Sequence, residues 1–267
     1  MKDKTILITG STDGIGKQTA LDLAKMGATV LLHGRNSGRA DRVLNEIKKA
    51  TGNDRIEAFI ADLASLKQVR YLAEQVLEKH DRLDVLINNA GVYETRHRIS
   101  EDGFEMTFAV NHLAPFFLTL LLLDLIGKRV PCRIINVSSQ VHASSIDFDN
   151  LQAEKHYSAY EAYSLSKLCN VLFTSELAER LKGTGITVNC LHPGVIDTKL
   201  LKAGWGMGGS PVTQGAKTSV YLATAPELST VTGKYFKNMK PTKSSRISYD
   251  AKARKRLWEI SERLCQS

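Results

Sequence analysis

Lys4-Thr5-Ile6-Leu7-Ile8-Thr9-Gly10-Ser11-Thr12-Asp13-Gly14-Ile15-Gly16 is the stretch that decides how this chain folds. Its first half is short, apolar and rich in strand formers, so it reads as a buried strand. A glycine-rich turn follows, and then an amphipathic helix to about Met26. Strand, glycine turn and helix in that order build an anion site. Glycines let the backbone come close to a pyrophosphate, and the helix N-terminus offers free N–H groups. The spacing is Gly-x-x-x-Gly-x-Gly, not the more familiar Gly-x-Gly-x-x-Gly. Glycine runs also mark plain turns, so the placement after a strand carries the reading.

Outward from this unit the same alternation repeats. Strands are expected at Ala28 to His33, Arg55 to Ala61, Leu83 to Ile87, Arg133 to Val137, Ile186 to Leu191 and near Gly233 to Phe236. Helices are expected over Gly38 to Ala50, Leu66 to Lys79, Asp102 to Lys128, the stretch bearing Tyr163 to about Leu181, Val212 to Ala225 and Ala251 to Leu264. Alternating strands and helices predict a doubly wound, Rossmann-type α/β fold. The expectation is a seven-stranded parallel sheet, helices on both faces, and one domain over residues 1–267. Four glycines with Trp205 and Met207 make residues 199–211 a mobile lid over an apolar pocket.

The bulk composition fits a soluble globular protein, with 43% hydrophobic and 24% charged residues in 267. Four scattered cysteines, with no C-x-x-C pair, read as reduced thiols and not as a disulfide framework or metal site. No secretory leader is visible, and the longest apolar run, Ala114 to Ile126, is too short to span a bilayer. A cytoplasmic, soluble protein is expected, with peripheral membrane contact left open. The net charge is +8, concentrated locally from Lys237 to Arg256. It reads as a solvated surface, and no nucleic-acid motif accompanies it.

In dinucleotide folds the end of the second strand meets the adenosine ribose. A carboxylate there suits NAD, and an arginine suits the 2′-phosphate of NADP. This strand ends His33-Gly34-Arg35-Asn36, with Arg39 and Arg42 close behind. NADP(H) is therefore expected in preference to NAD(H). Asp62-Leu63 closes the third strand. Asp62 could accept from an adenine amino group or cap the next helix. Asn88-Asn89-Ala90-Gly91 closes the fourth. Its amides could tie neighbouring strands, and its small residues would let backbone lie against a cofactor.

Tyr163 is the only tyrosine of eight followed by a lysine four residues later. That spacing puts Tyr163 and Lys167 on one helix face. A phenol is a poor base at neutral pH, and a nearby ammonium is expected to lower its pKa. Ser138-Ser139 ends the fifth strand, where ligands of open α/β sheets sit. Asn111 lies inside an apolar helix and needs a partner.

Taken together, these motifs resemble the short-chain dehydrogenase/reductase family, in order and over nearly the whole chain. Asp102-Gly103-Phe104-Glu105, Val110-Asn111-His112-Leu113 and Leu191-His192-Pro193-Gly194-Val195 narrow the resemblance to the retinol-dehydrogenase type. The resemblance implies hydride transfer between NADP(H) and a hydrophobic alcohol, aldehyde or ketone that is retinoid-like, steroid-like or xenobiotic. It implies that Ser139 binds the substrate oxygen, Tyr163 passes the proton, Lys167 tunes the tyrosine and binds ribose hydroxyls, and Asn111 holds a water beside Lys167. It also implies a cofactor lining of Gly10, Ser11, Thr12, Asp13, Gly14, Ile15, Gly16, Arg35, Asn36, Asp62, Leu63, Asn89, Ala90, Gly91, Pro193, Gly194 and Val195, with Thr198 on the carboxamide. Asp13 stands where some NADP-preferring members carry a basic residue. A homodimer or homotetramer is expected, for which the apolar Phe116 to Leu123 run would suit an interface. The alternative is a catalytically silent NADP(H)-binding regulatory protein, but such relatives usually lose the Tyr or the Lys.

Overall fold

The computed structural model describes residues 1–266. Strand β1 (Thr5–Ile8) leads through the glycine turn into helix α1 (Gly14–Lys25). Strand β2 (Thr29–Gly34), α2 (Ser37–Thr51), β3 (Ile56–Ile60), α3 (Leu66–Lys79) and β4 (Val85–Asn88) complete the first half. A broken helix follows: α4 (Met106–Phe108), a π-helical segment (Ala109–Leu113), α5 (Ala114–Leu121) and α6 (Leu123–Gly127). Then come β5 (Cys132–Val137), α7 (Ala159–Arg180), β6 (Ile186–His192), α8 (Lys199–Trp205), α9 (Val212–Thr224), β7 (Tyr235–Lys237), β8 (Lys240–Thr242) and α10 (Ala251–Gln266).

All strands lie in one sheet of order β3-β2-β1-β4-β5-β6-β7-β8. The first seven run parallel, so the Rossmann-type α/β expectation holds. Strand alternation splits the core in two. Ile6, Ile8, Val30 and Leu32 pack with α1 and α9 on one face, while Leu7, Leu31 and Leu86 pack with α3, α5 and α7 on the other. Each such fully buried side chain contributes about 1.5–3 kcal/mol.

Three features depart from the sequence expectation. The sheet has eight strands, not seven. Asn238 and Met239 both take positive φ, 51° and 62°, and turn β7 back into antiparallel β8. This two-residue turn matches the hairpin type, but Lys-Pro-Thr carries no strand periodicity to announce it. The helix expected from Asp102 starts at Met106, where the Glu105 carboxylate accepts from Thr107 N and Phe108 N at 2.9 and 2.7 Å. Its π segment surrounds Asn111. Pro115 has no N–H to give the Asn111 carbonyl, so regular pairing fails there. Finally, the first half of the stretch expected to form a lid is helical. Thr198 Oγ1 caps it by accepting from Leu201 N at 3.2 Å, and Gly206, at φ 62°, ends it. The Phe116 to Leu123 run is mostly buried within its own fold, with Phe116 set 5.0 Å from Trp258 of α10. Leu120, Leu121 and Leu123 of the same run remain partly exposed.

Candidate active site

The carboxyl ends of β1, β4, β5 and β6 converge on one cavity of about 1030 Å³. That is at the upper end of the 300–1,000 Å³ typical for small-molecule sites, so a dinucleotide and a substrate can share it. Glycine is required on its floor. A Cβ on Gly10 would fall 2.8 Å from Ala90 Cα, and one on Gly16 would fall 2.4 Å from both Asn89 Nδ2 and Gly10 O. Hydrogen bonds hold the two loops that close. Asn89 N and Ala90 N both donate to Thr9 Oγ1 at 3.0 Å, and Asn89 Nδ2 donates to Thr9 O at 2.8 Å and Gly10 O at 3.2 Å. Asn88 Nδ2 donates to Asn136 Oδ1 at 2.8 Å and Thr119 Oγ1 at 3.0 Å. The amide pair thus ties strands together, as the sequence suggested.

His33 is a part of this frame that sequence reading passes over. Its Nδ1 accepts from Gly10 N at 3.1 Å, so Nε2 carries the proton and donates to Ala61 O at 3.1 Å. Burial lowers its pKa to about 4, which keeps this neutral tautomer in place. One imidazole thereby locks the glycine turn to the ends of β2 and β3. A histidine closing a strand just before the Gly34-Arg35 turn was the available signal.

The catalytic candidates meet at the ends of β5 and α7. Ser139, Tyr163 and Lys167 are buried and border the cavity. Ser138 also borders the cavity, but its Oγ donates to Lys167 O at 2.7 Å, a structural tie, whereas Ser139 is the serine hydrogen-bonded to Tyr163. Lys167 Nζ donates to Val137 O at 3.1 Å and sits 5.5 Å from the centre of the Tyr163 ring. Burial lowers Lys167 to about 8. Burial pushes Tyr163 up to about 12, against an opposing hydrogen bond with Ser139. The sequence expectation of a lowered phenol pKa is therefore reversed in the protein alone. Lys167 lies over the ring and bonds a carbonyl, and desolvation dominates.

Asn111 is fully buried behind this pair and does not reach the cavity. Its Nδ2 donates to Val92 O and Ser166 Oγ, both at 3.0 Å, and its Oδ1 accepts from Val92 N at 2.8 Å. The side-chain amide joins the β4 loop to α7. Ser11 and Asn36 also stay off the cavity wall. Ser11 Oγ donates to Ile8 O at 2.8 Å, and Asn36 caps α2 by accepting from Arg39 N at 2.9 Å.

The remaining expected cofactor residues do line the cavity: Gly10, Thr12, Asp13, Gly14, Ile15, Gly16, Arg35, Asp62, Leu63, Asn89, Ala90, Gly91, Pro193, Gly194, Val195 and Thr198. Arg39 joins them, but Arg42 does not. Asp62 Oδ1 accepts from Ala64 N at 3.0 Å while its residue borders the cavity. The 199–211 stretch is pinned at its base by Ser210 N donating to Val195 O at 2.8 Å and Asp197 N donating to Ser210 O at 2.9 Å. Trp205 lies 5.6 Å from Tyr163 and 5.2 Å from Tyr93, ring centre to ring centre. Among the described residues no cluster could hold a metal ion, and no helix is long and apolar enough to cross a membrane.

A family model described as short chain dehydrogenase matches residues 4–205. Retinol dehydrogenase 13 of Homo sapiens is 44% identical, over 98% of this chain and 84% of that protein. Retinol dehydrogenase 12 of Homo sapiens is 41% identical, over 97% of this chain and 85% of that protein. Among solved structures, an uncharacterised protein from Mycobacterium paratuberculosis superposes with a TM-score of 0.83 at 32% identity, covering 99% of this chain and 94% of the other. A short chain dehydrogenase from Escherichia coli CFT073, complexed with NADPH, superposes with a TM-score of 0.75 at 26% identity, covering 90% and 98%.

Proposed function

This chain belongs to the short chain dehydrogenase family, and on that premise we propose that it is an NADP(H)-dependent oxidoreductase of hydrophobic alcohols, aldehydes or ketones. The observation that carries this reading is the sharing of one cavity by Ser139, Tyr163, Lys167 and the glycine turn. The cofactor, when bound, supplies or takes the hydride. The protein positions the groups around it.

Ser139 donates to the substrate oxygen as negative charge develops there. Tyr163, protonated well above neutral pH, stands ready as the acid in reduction. In oxidation the same phenol must lose its proton, and the Lys167 charge then stabilises the phenolate. Lys167 uses one donor on Val137 O and keeps two for ribose hydroxyls. Arg35 and Arg39, both on the cavity wall, suit a 2′-phosphate. Leu201, Trp205 and Met207 give the substrate end an apolar lining. The NADPH complex of one structural neighbour and the retinol dehydrogenase names of the relatives support the same direction.

The test is NADPH consumption against a panel of aldehydes and ketones, retinal and steroids included, with NADH in parallel. Consumption with NADPH that Tyr163→Phe abolishes, without loss of NADPH binding, is the expected result. Binding of NADPH with no consumption on any carbonyl would establish the silent regulatory alternative. A cytoplasmic homodimer or homotetramer belongs to the same proposal, and sedimentation of the purified chain decides the assembly.

A further inference from the structure

Asp13 is a carboxylate in a site built for anions. It forms the N-cap of α1, where its Oδ1 accepts from Gly14 N at 2.9 Å, and it borders the cavity. A helix N-terminus attracts phosphate, and a fixed carboxylate there competes for the same field. Arg39 Nη1, also on the wall, lies 4.0 Å from Asp13 Oδ2. Unopposed, Asp13 would repel a phosphorylated ligand and hold back an arginine that could meet it.

Lys199 opposes it. It is the first residue of α8, and its Nζ donates to Asp13 Oδ2 at 2.6 Å. That bond is the main reason the Asp13 carboxyl stays below its ordinary range. The last residue of the same helix is Trp205, packed on the Tyr163 ring. One short helix therefore touches the glycine turn at its start and the candidate proton donor at its end.

We propose that Lys199 is a cofactor-specificity residue, which neutralises Asp13 so that a phosphorylated dinucleotide is accepted and Arg39 is released to the 2′-phosphate. The proposal rests on the NADP(H) reading for its preference, but its core is a charge effect on binding that needs no turnover. Both side chains are more than half exposed, 78% for Lys199 and 52% for Asp13, so the effect is screened by salt and moderate in size.

The experiment is a set of NADPH and NADH fluorescence titrations on wild type, Lys199→Ala, Asp13→Asn and the double variant, at low and high salt. Asparagine is itself a good N-cap, so Asp13→Asn removes charge while keeping α1 capped. Lys199→Ala should weaken NADPH by about tenfold and NADH by about threefold at low salt, with both losses shrinking at high salt. In the Asp13→Asn background the same lysine substitution should cost at most about twofold, and Lys199→Arg should restore wild-type binding. An equal loss in both backgrounds would overturn the masking role. If the wild type held NADH as tightly as NADPH, the NADP(H) reading would fall. The coupling between positions 13 and 199, measured on NADH, would then still decide whether Lys199 masks Asp13.

Discussion

The two ends of the sheet treat buried charge in opposite ways. Where the strands begin, Asp84 is 2% exposed and surrounded by partners. Lys4 Nζ and Thr5 N donate to it at 2.9 Å, and Arg82 grips both of its oxygens. Burial alone would raise its pKa, but these donors outweigh it and hold the carboxyl low. Where the strands finish, Lys167 is 3% exposed. It has one carbonyl and, among the described residues, no carboxylate within ion-pair distance. One end spends its charges on stability. The other holds a charge at a cost and keeps its donors free for a ligand.

The largest expected effect that sharpens this contrast is on turnover. Tyr163→Phe should lower kcat by about 10³-fold, in line with the loss of a positioned proton donor. Steady-state rates with the most active carbonyl measure it, and unchanged rates would remove the phenol from the chemistry.

Next comes a change in which stability and activity part company. Burial lowers Lys167 from 10.5 to about 8, so between those pH values the unfolded chain binds more protons than the folded one. Stability therefore rises with pH through that window, and below it the full cost of about 3 kcal/mol is present. Lys167→Met should raise the unfolding midpoint at pH 7, with a gain that shrinks toward pH 10.5, while turnover falls by at least about a hundredfold. Loss of stability at pH 7 would break the comparison.

Asp84→Asn should do the reverse. Removing one member of a buried ion pair costs about 3 kcal/mol, with turnover retained at temperatures where the protein stays folded. Because the folded carboxyl is held below 3.8, its contribution is present above about pH 4 and is lost as pH falls further. Urea unfolding at pH 7 and pH 3 should show the difference between wild type and variant shrinking at the lower pH. The smallest effect is on affinity. Arg35→Ala should weaken NADPH by about tenfold and leave NADH within about twofold, and an equal loss for both would defeat the 2′-phosphate assignment.

What could be read from the sequence was local. β1, its glycine turn and α1 are contiguous, and their periodicities are unambiguous, so the fold class followed. Tyr163 and Lys167 are four apart on one helix, so their pairing followed too. What could not be read was set by partners distant along the chain. The Tyr163 pKa moves up because burial desolvates it, with the Tyr93 and Trp205 rings packed against its own, and no spacing within α7 carries that information. Asn111 needed a partner, as its setting implied, but the partners are Val92 and Ser166. His33 escaped notice because its role depends on Gly10 and Ala61 meeting across three strands. The α8 helix was masked by the glycines that follow it, although Thr198 supplied its cap.

The β8 strand bears on how copies of this chain can meet. An outermost strand normally presents a row of amides that a second molecule can join. Here that row is Lys240-Pro241-Thr242, in which the proline has no amide hydrogen and Lys240 and Lys243 crowd the rim with exposed ammonium groups. Growth of a continuous intermolecular sheet from this margin is blocked, so a concentrated solution should stay clear of ribbon-like aggregates built from it.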